Sequence, residues 1–198
     1  MLKRSVFNDT LLAWYHANKR ELPWRQTSDP YKIWLSEVML QQTQVITVIP
    51  YFNKFITKYE TLDALANADE QDLLKDWEGL GYYNRIRNFH HAIKEVQSLY
   101  DSKVPNRPED FFSLKGVGPY IGGAVQSIAF NNQLAAVDGN VLRVMTRLNR
   151  DNRDTTKVSV QKDIKRDIES DMPLEAGDFN QALMELGATI CTPRTPKC

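Results

Sequence analysis

Apolar residues recur at spacings of three and four along nearly the whole chain, and sustained strand-like alternation is absent. Phe7, Leu11, Leu12, Trp14 and Tyr15 form one stripe over residues 6–18. Pro30 suits the first position of a helix that runs through Tyr31, Trp34, Leu35, Val38 and Met39. Asp69-Glu70-Gln71-Asp72 loads acids into the first turn of a helix carrying Leu73, Leu74 and Trp77. Further amphipathic stretches cover 83–99, 119–130, 140–149, 157–169 and 178–190. The pattern predicts an all-α fold of about ten helices with short connections. Pro105 and Pro108 mark one loop and Asn131-Asn132-Gln133 another, and the break near residue 131 is the better domain boundary. There is no internal repeat and no low-complexity linker.

Composition narrows the class. The 198 residues are 42% hydrophobic and 25% charged, enough for one large or two small domains with a sizeable core. No apolar run approaches the roughly 20 residues of a membrane span, and the N-terminus lacks the apolar core of a signal peptide. A cytoplasmic protein without a membrane partner is expected. The formal net charge of zero argues against a generally basic coat. Local clusters remain: Arg85 with Arg87, and Arg143, Arg147, Arg150 and Arg153 at spacings of three to four. A solvated helix face is the plainer reading of that stripe. Cys191 and Cys198 are the two cysteines, with six residues between them. They read as free thiols or as metal ligands, but two thiolates complete neither a tetrahedral nor a cubane site.

The candidate chemistry begins with Leu114-Lys115-Gly116-Val117-Gly118-Pro119-Tyr120. Gly116 and Gly118 bracket a hairpin, Pro119 suits the first turn of the next helix, and the free amides at that helix start can hold a phosphate. An ordinary helix–turn–helix corner favours the same residues. Glu37 lies in a mostly apolar segment with Ile33, Trp34, Leu40 and Gln41 at helical spacing. Desolvation there would raise its pKa towards that of a general acid, although a buried acid paired with Arg25 or Arg87 also fits. Asp138 precedes the helix carrying Val141, Leu142, Val144 and Met145, where amides and dipole favour the anion. It also suits a plain N-cap, a role that Asn140 could fill equally well. One carboxyl kept as the acid and another held as the anion is what glycosidic cleavage needs. Gln41-Gln42-Thr43-Gln44 and Gly79-Leu80-Gly81-Tyr82-Tyr83 offer side chains able to wedge into a base stack.

The segments Trp34–Val45, Ile49–Phe52, Gly79–Tyr83 and Val137–Val141 together resemble the adenine DNA glycosylase (MutY) family. That family belongs to the helix-hairpin-helix DNA glycosylase superfamily with endonuclease III. The resemblance covers essentially the whole chain. It implies two helical lobes flanking a DNA-binding cleft: residues 25–133 as a six-helix barrel holding the hairpin, and 1–24 with 134–198 as an iron–sulfur lobe. It implies base excision repair of double-stranded DNA, by a monomer that flips and removes adenine mispaired with 8-oxoguanine or guanine. Glu37 would protonate the leaving adenine and later help activate water, and Asp138 would stabilise or trap the oxocarbenium ion. Tyr120 and Asn140 would share the catalytic pocket, and Arg25 would line the adenine site. Gln41, Gln42 and Tyr82 would contact DNA, the last two by intercalation. Gly116, Val117 and Gly118 would bind phosphate, with a monovalent cation at the hairpin carbonyls.

Bifunctional members of the endonuclease III branch carry a lysine where this chain has Tyr120. A monofunctional glycosylase is therefore expected, with an endonuclease III-like pyrimidine glycosylase or a catalytically silent DNA-binding module as alternatives. The family's [4Fe–4S] cluster takes four cysteines, of which Cys191 and Cys198 match the first spacing. Its C-terminal 8-oxoguanine-recognition domain has no counterpart here. The sequence therefore reads as a truncated catalytic region, with reduced stability and poorer discrimination for 8-oxoguanine.

Overall fold

In a computed structural model, residues 4–197 are described, and they form eleven α-helices and one 3-10 turn without a strand among them. The helices are α1 (Arg4–Asn18), α2 (Pro30–Leu40), α3 (Val45–Lys58), α4 (Leu62–Ala66), α5 (Glu70–Asp76), α6 (Asn84–Leu99), α7 (Pro108–Phe112), α8 (Pro119–Phe130), α9 (Gly139–Asn149), α10 (Val158–Glu169) and α11 (Ala176–Thr189). The 3-10 turn is Pro23–Arg25. This is the expected all-α class. Pro30 opens α2 behind an Asp29 cap that accepts from the Tyr31 amide. Asp69 caps α5 by accepting from the amides of Gln71 and Asp72. Pro108, read from sequence as part of a loop, instead opens the short helix α7. No described helix is long and apolar enough to cross a membrane.

The chain divides into two compact units, and the division falls within α8. Glu21–Val125 forms one unit; the chain up to Arg20 and from Gln126 on forms the other. The core of the Glu21–Val125 unit is aromatic. Trp34 meets Phe89 edge-on at 5.1 Å and Phe111 at 4.8 Å, and Phe55 meets Trp77 edge-on at 5.8 Å. At its border, burial would raise the Asp76 carboxyl, but hydrogen bonds from Lys58, Tyr59 and Lys54 outweigh it and hold the group at about 2. The cluster ties the end of α5 to α3.

The other unit gathers α1, α9, α10 and α11 around Leu11, Tyr15, Val141, Val144, Ile164, Ile168, Phe179 and Leu183, with α11 packed on both α1 and α9. Arg20, just past α1, makes a two-pronged ion pair with the buried Glu185 of α11: Nε to Oε1 at 2.6 Å and Nη2 to Oε2 at 2.8 Å. Gly187 lets α11 approach α9 closely, because a Cβ there would stand 2.6 Å from the Cβ of Asn140.

Candidate functional site

Glu37 lies in an unbroken buried stretch, with Ile33 through Met39 all out of solvent. The residue is 5% exposed. The hydroxyl of Tyr120, the second residue of α8, donates to Glu37 Oε2 at 2.7 Å. Pro119 starts that helix immediately after the hairpin, so the turn that makes the hairpin also delivers the phenol to the carboxylate. Tyr120 thus gives a buried carboxylate a hydrogen-bond donor. Arg87, one partner considered for Glu37, pairs with Glu70 at 3.5 Å. Arg25 ends the 3-10 turn, half-buried beside the buried Trp24.

The hairpin has two unlike glycines. Gly116 takes φ +78°, and a Cβ on it would come within 2.8 Å of the Asn88 side chain. Gly118 has an ordinary φ with open space where a Cβ would be, so only Gly116 is demanded by conformation. Val117 donates its amide to Leu114, whose side chain is buried. The Lys115 amide is held by Glu95 Oε2 of α6 at 3.0 Å. A recess of about 130 Å³ beside the hairpin is lined in part by Trp34, Gln41, Asn88, Lys115 and Gly116.

The 41–44 and 79–83 segments sit on tight turns. Gln42 has φ +56° and Tyr82 φ +47°, left-handed values that few non-glycine residues adopt. Gln41 is half-buried and Gln42 exposed, while Tyr82 is 63% exposed. Both turns converge on Arg85, which sequence reasoning grouped with Arg87 as surface charge. Its guanidinium donates to backbone carbonyls at the end of α2 and in the 80–81 turn, and to Thr43. No residue-type pattern signals this, because the acceptors are mainly carbonyls that every residue carries.

In the other unit, Asp138 caps α9 after all, with Oδ1 accepting from the Val141 amide at 2.8 Å. Asn140, which could have capped the helix, instead donates to Asp138 Oδ2 at 2.7 Å and accepts from Arg143 Nη2 at 2.8 Å. Arg143 also donates to the carbonyls of Gly187 and Cys191. Arg147 donates to Cys191 Sγ at 3.3 Å and to the carbonyls of Thr192 and Pro193. The arginine stripe is therefore not a uniformly solvated face: Arg143 and Arg147 hold the segment that follows α11. Cys191 is buried; Cys198 lies outside the described residues. The 198 residues supply two thiols where a cubane cluster takes four thiolates, so they do not hold such a cluster by themselves.

Residues 35–170 match the family model described as the HhH-GPD superfamily base excision DNA repair protein. The chain is 42% identical to the adenine DNA glycosylase of Rattus norvegicus, an alignment covering 98% of this chain and 40% of the relative. It is 40% identical to that of Buchnera aphidicola subsp. Baizongia pistaciae, covering 98% and 55%. It thus spans about half the length, or less, of these curated relatives. Among solved structures it is similar to a thermostable thymine-DNA glycosylase, with TM-score 0.86, 31% identity, and 98% of this chain and 90% of that one covered. A non-covalent endonuclease III–DNA complex shares the fold at TM-score 0.81 and 22% identity, covering 100% and 92%.

Proposed function

Because this chain belongs to the HhH-GPD superfamily of base excision DNA repair proteins, we propose that it is the catalytic region of an adenine DNA glycosylase acting on adenine mispaired with 8-oxoguanine or guanine. The observation that carries this reading is the buried Glu37 with the Tyr120 hydroxyl at 2.7 Å, in a chain similar to adenine DNA glycosylases over nearly its whole length. The body holding the hairpin, taken as 25–133, grips the DNA backbone. Residues 1–24 with 134–198 carry Asp138 and Cys191.

In this mechanism Gln42 and Tyr82 enter the stack and the target adenine is flipped, at roughly a few kcal/mol and less at a mispair. Glu37 in its acid form gives its proton to a ring nitrogen of the base. The glycosidic C1′–N bond then breaks with its electron pair leaving on adenine. The sugar becomes an oxocarbenium ion, which the Asp138 anion stabilises, with Asn140 orienting that carboxylate through Oδ2. Water adds to C1′ and its proton returns to Glu37. Adenine and an abasic site are the products. A phenol at position 120 supplies no amine for a Schiff base, which favours base removal without lyase chemistry. Gly116, Val117 and Gly118 bind phosphate, the hairpin carbonyls would hold a monovalent cation that supplies positive charge to it, and Arg25 lines the adenine site. In the whole protein Cys191 and Cys198 would be two of four cluster ligands, and no step of the reaction runs through them.

The test is single-turnover release of adenine from an 8-oxoguanine·adenine duplex, read as alkali-labile strands, by this chain and its Glu37→Gln variant. The variant is expected to lose roughly 100- to 10,000-fold in rate. Equal rates would remove Glu37 as the acid, and absence of product from both would overturn the activity.

A further inference from the structure

Arg85, the second residue of α6, has a guanidinium with unusual company. Nη1 donates to the carbonyls of Val38 at 3.1 Å, Met39 at 2.8 Å and Gln41. Nη2 donates to Thr43 Oγ1 at 3.1 Å and to the carbonyls of Leu80 at 2.9 Å and Gly81 at 3.2 Å. The cation lies over the rings of Trp77 at 5.3 Å and Tyr82 at 5.5 Å. Its Nε is buried with no hydrogen-bond partner among the described residues. Burial pushes the group below the usual guanidinium range, so the site is desolvated and not a solvent-facing ion pair.

The acceptors belong to two segments about forty positions apart in sequence, from 38 to 43 and from 80 to 81. The first contains the end of α2, whose last carbonyls have no intrahelical donor and carry the negative end of the helix dipole. The second is the turn that precedes α6, where Trp77 Nε1 also donates to Gly81. Gln42 and Tyr82 both hold left-handed backbone at the tips of these segments. Such a conformation is unfavourable for a non-glycine residue and persists where the surroundings fix it. A lysine has one point charge and could not reach both segments with a planar fork.

We propose that Arg85 is a positioning residue that fixes the Gln42 and Tyr82 turns in one mutual geometry, so that both side chains enter the base stack together. This rests on the reading of Gln42 and Tyr82 as wedges. Arg85 itself touches neither base nor sugar in this role. It sets the step of insertion and base opening, leaving the grip of the hairpin on the backbone unchanged.

The experiment uses a duplex with 2-aminopurine beside an 8-oxoguanine·adenine mispair, whose fluorescence rises when the neighbouring stack opens. Wild-type chain, Arg85→Lys and Arg85→Ala are compared for the rate of that rise, for affinity to a fully paired duplex, and for thermal melting. Arg85→Lys is expected to slow the rise at least about tenfold. Its paired-duplex affinity should stay within about twofold of wild type, since the phosphate contacts remain. Methylguanidinium should restore the rise to Arg85→Ala, and an alkylammonium of equal charge should not. A wild-type rate in Arg85→Lys, or a parallel loss of paired-duplex binding, overturns the proposal. If Arg85→Lys fails to fold, Thr43→Val decides: a slower rise at unchanged melting supports it, and an unchanged rise overturns it. Adenine release is scored in the same samples. A wild type that opens the stack without releasing adenine sinks the glycosylase reading alone, whereas one that never opens it sinks the role of Arg85.

Discussion

Tyr120 reaches Glu37 across 83 positions of sequence, and the bond between them is the smallest unit on which the proposed chemistry can be probed. Tyr120→Phe keeps the ring and removes one donor to a buried carboxylate. The single-turnover rate should fall about tenfold, close to 1.4 kcal/mol, with duplex affinity unchanged. A rate equal to wild type would take Tyr120 out of the reacting site. Glu37 was legible in sequence because a lone acid in an otherwise apolar helical run must be buried when the helix packs. Asp138 was legible as a carboxylate at a helix start, and the structure gives it the capping bond. Arg85, Arg143 and Arg147 were not legible. Their partners are mostly main-chain carbonyls, and a carbonyl leaves no mark in a residue-type pattern.

At the scale of elements, the hairpin separates two glycines that look alike in sequence. Gly116→Ala must place a side chain at φ +78° and against Asn88, and should cost about 1–2 kcal/mol of stability. Gly118→Ala meets open space, so melting should stay at the wild-type value while duplex affinity drops about tenfold as the new methyl obstructs a phosphate. Melting curves and duplex titrations on both variants check this, and full affinity in Gly118→Ala would show that no phosphate sits there. Helix starts marked by Pro30, Asp69 and Pro119 could be read directly, because capping and proline act within a few residues. The five-residue helices α4 and α7 escaped because they are too short to show a period. Helix α3 carries Pro50 inside it and buries Val48, Phe52 and Phe55. The left-handed Gln42 and Tyr82 escaped too, since neither is a residue type that announces such backbone.

At the scale of the whole molecule, one unit is assembled from the two ends of the described chain. Arg20 and Glu185 join those ends, 165 positions apart, with the carboxylate 1% exposed and the arginine partly open to solvent. Arg20→Ala removes both prongs from a buried carboxylate and should cost the unit about 2 kcal/mol or more. Hydrogen exchange should then show lost protection in α1 and α11, while α2, α3 and α6 keep theirs. Uniform loss across all five helices would mean that the units do not open separately. The same join has a consequence in the order of synthesis. Helix α1 leaves the ribosome before α9, α10 and α11, with Leu11 and Tyr15 ready to pack and their partners in that unit not yet made. At ~5–20 residues per second, Glu185 follows Arg20 by roughly ten to thirty seconds. Glu21–Val125 emerges whole within that interval and can close on its own aromatic core. Through that interval α1 keeps an unpacked apolar stripe while another body has already closed, and this stripe is where a ribosome-bound chaperone would find its grip.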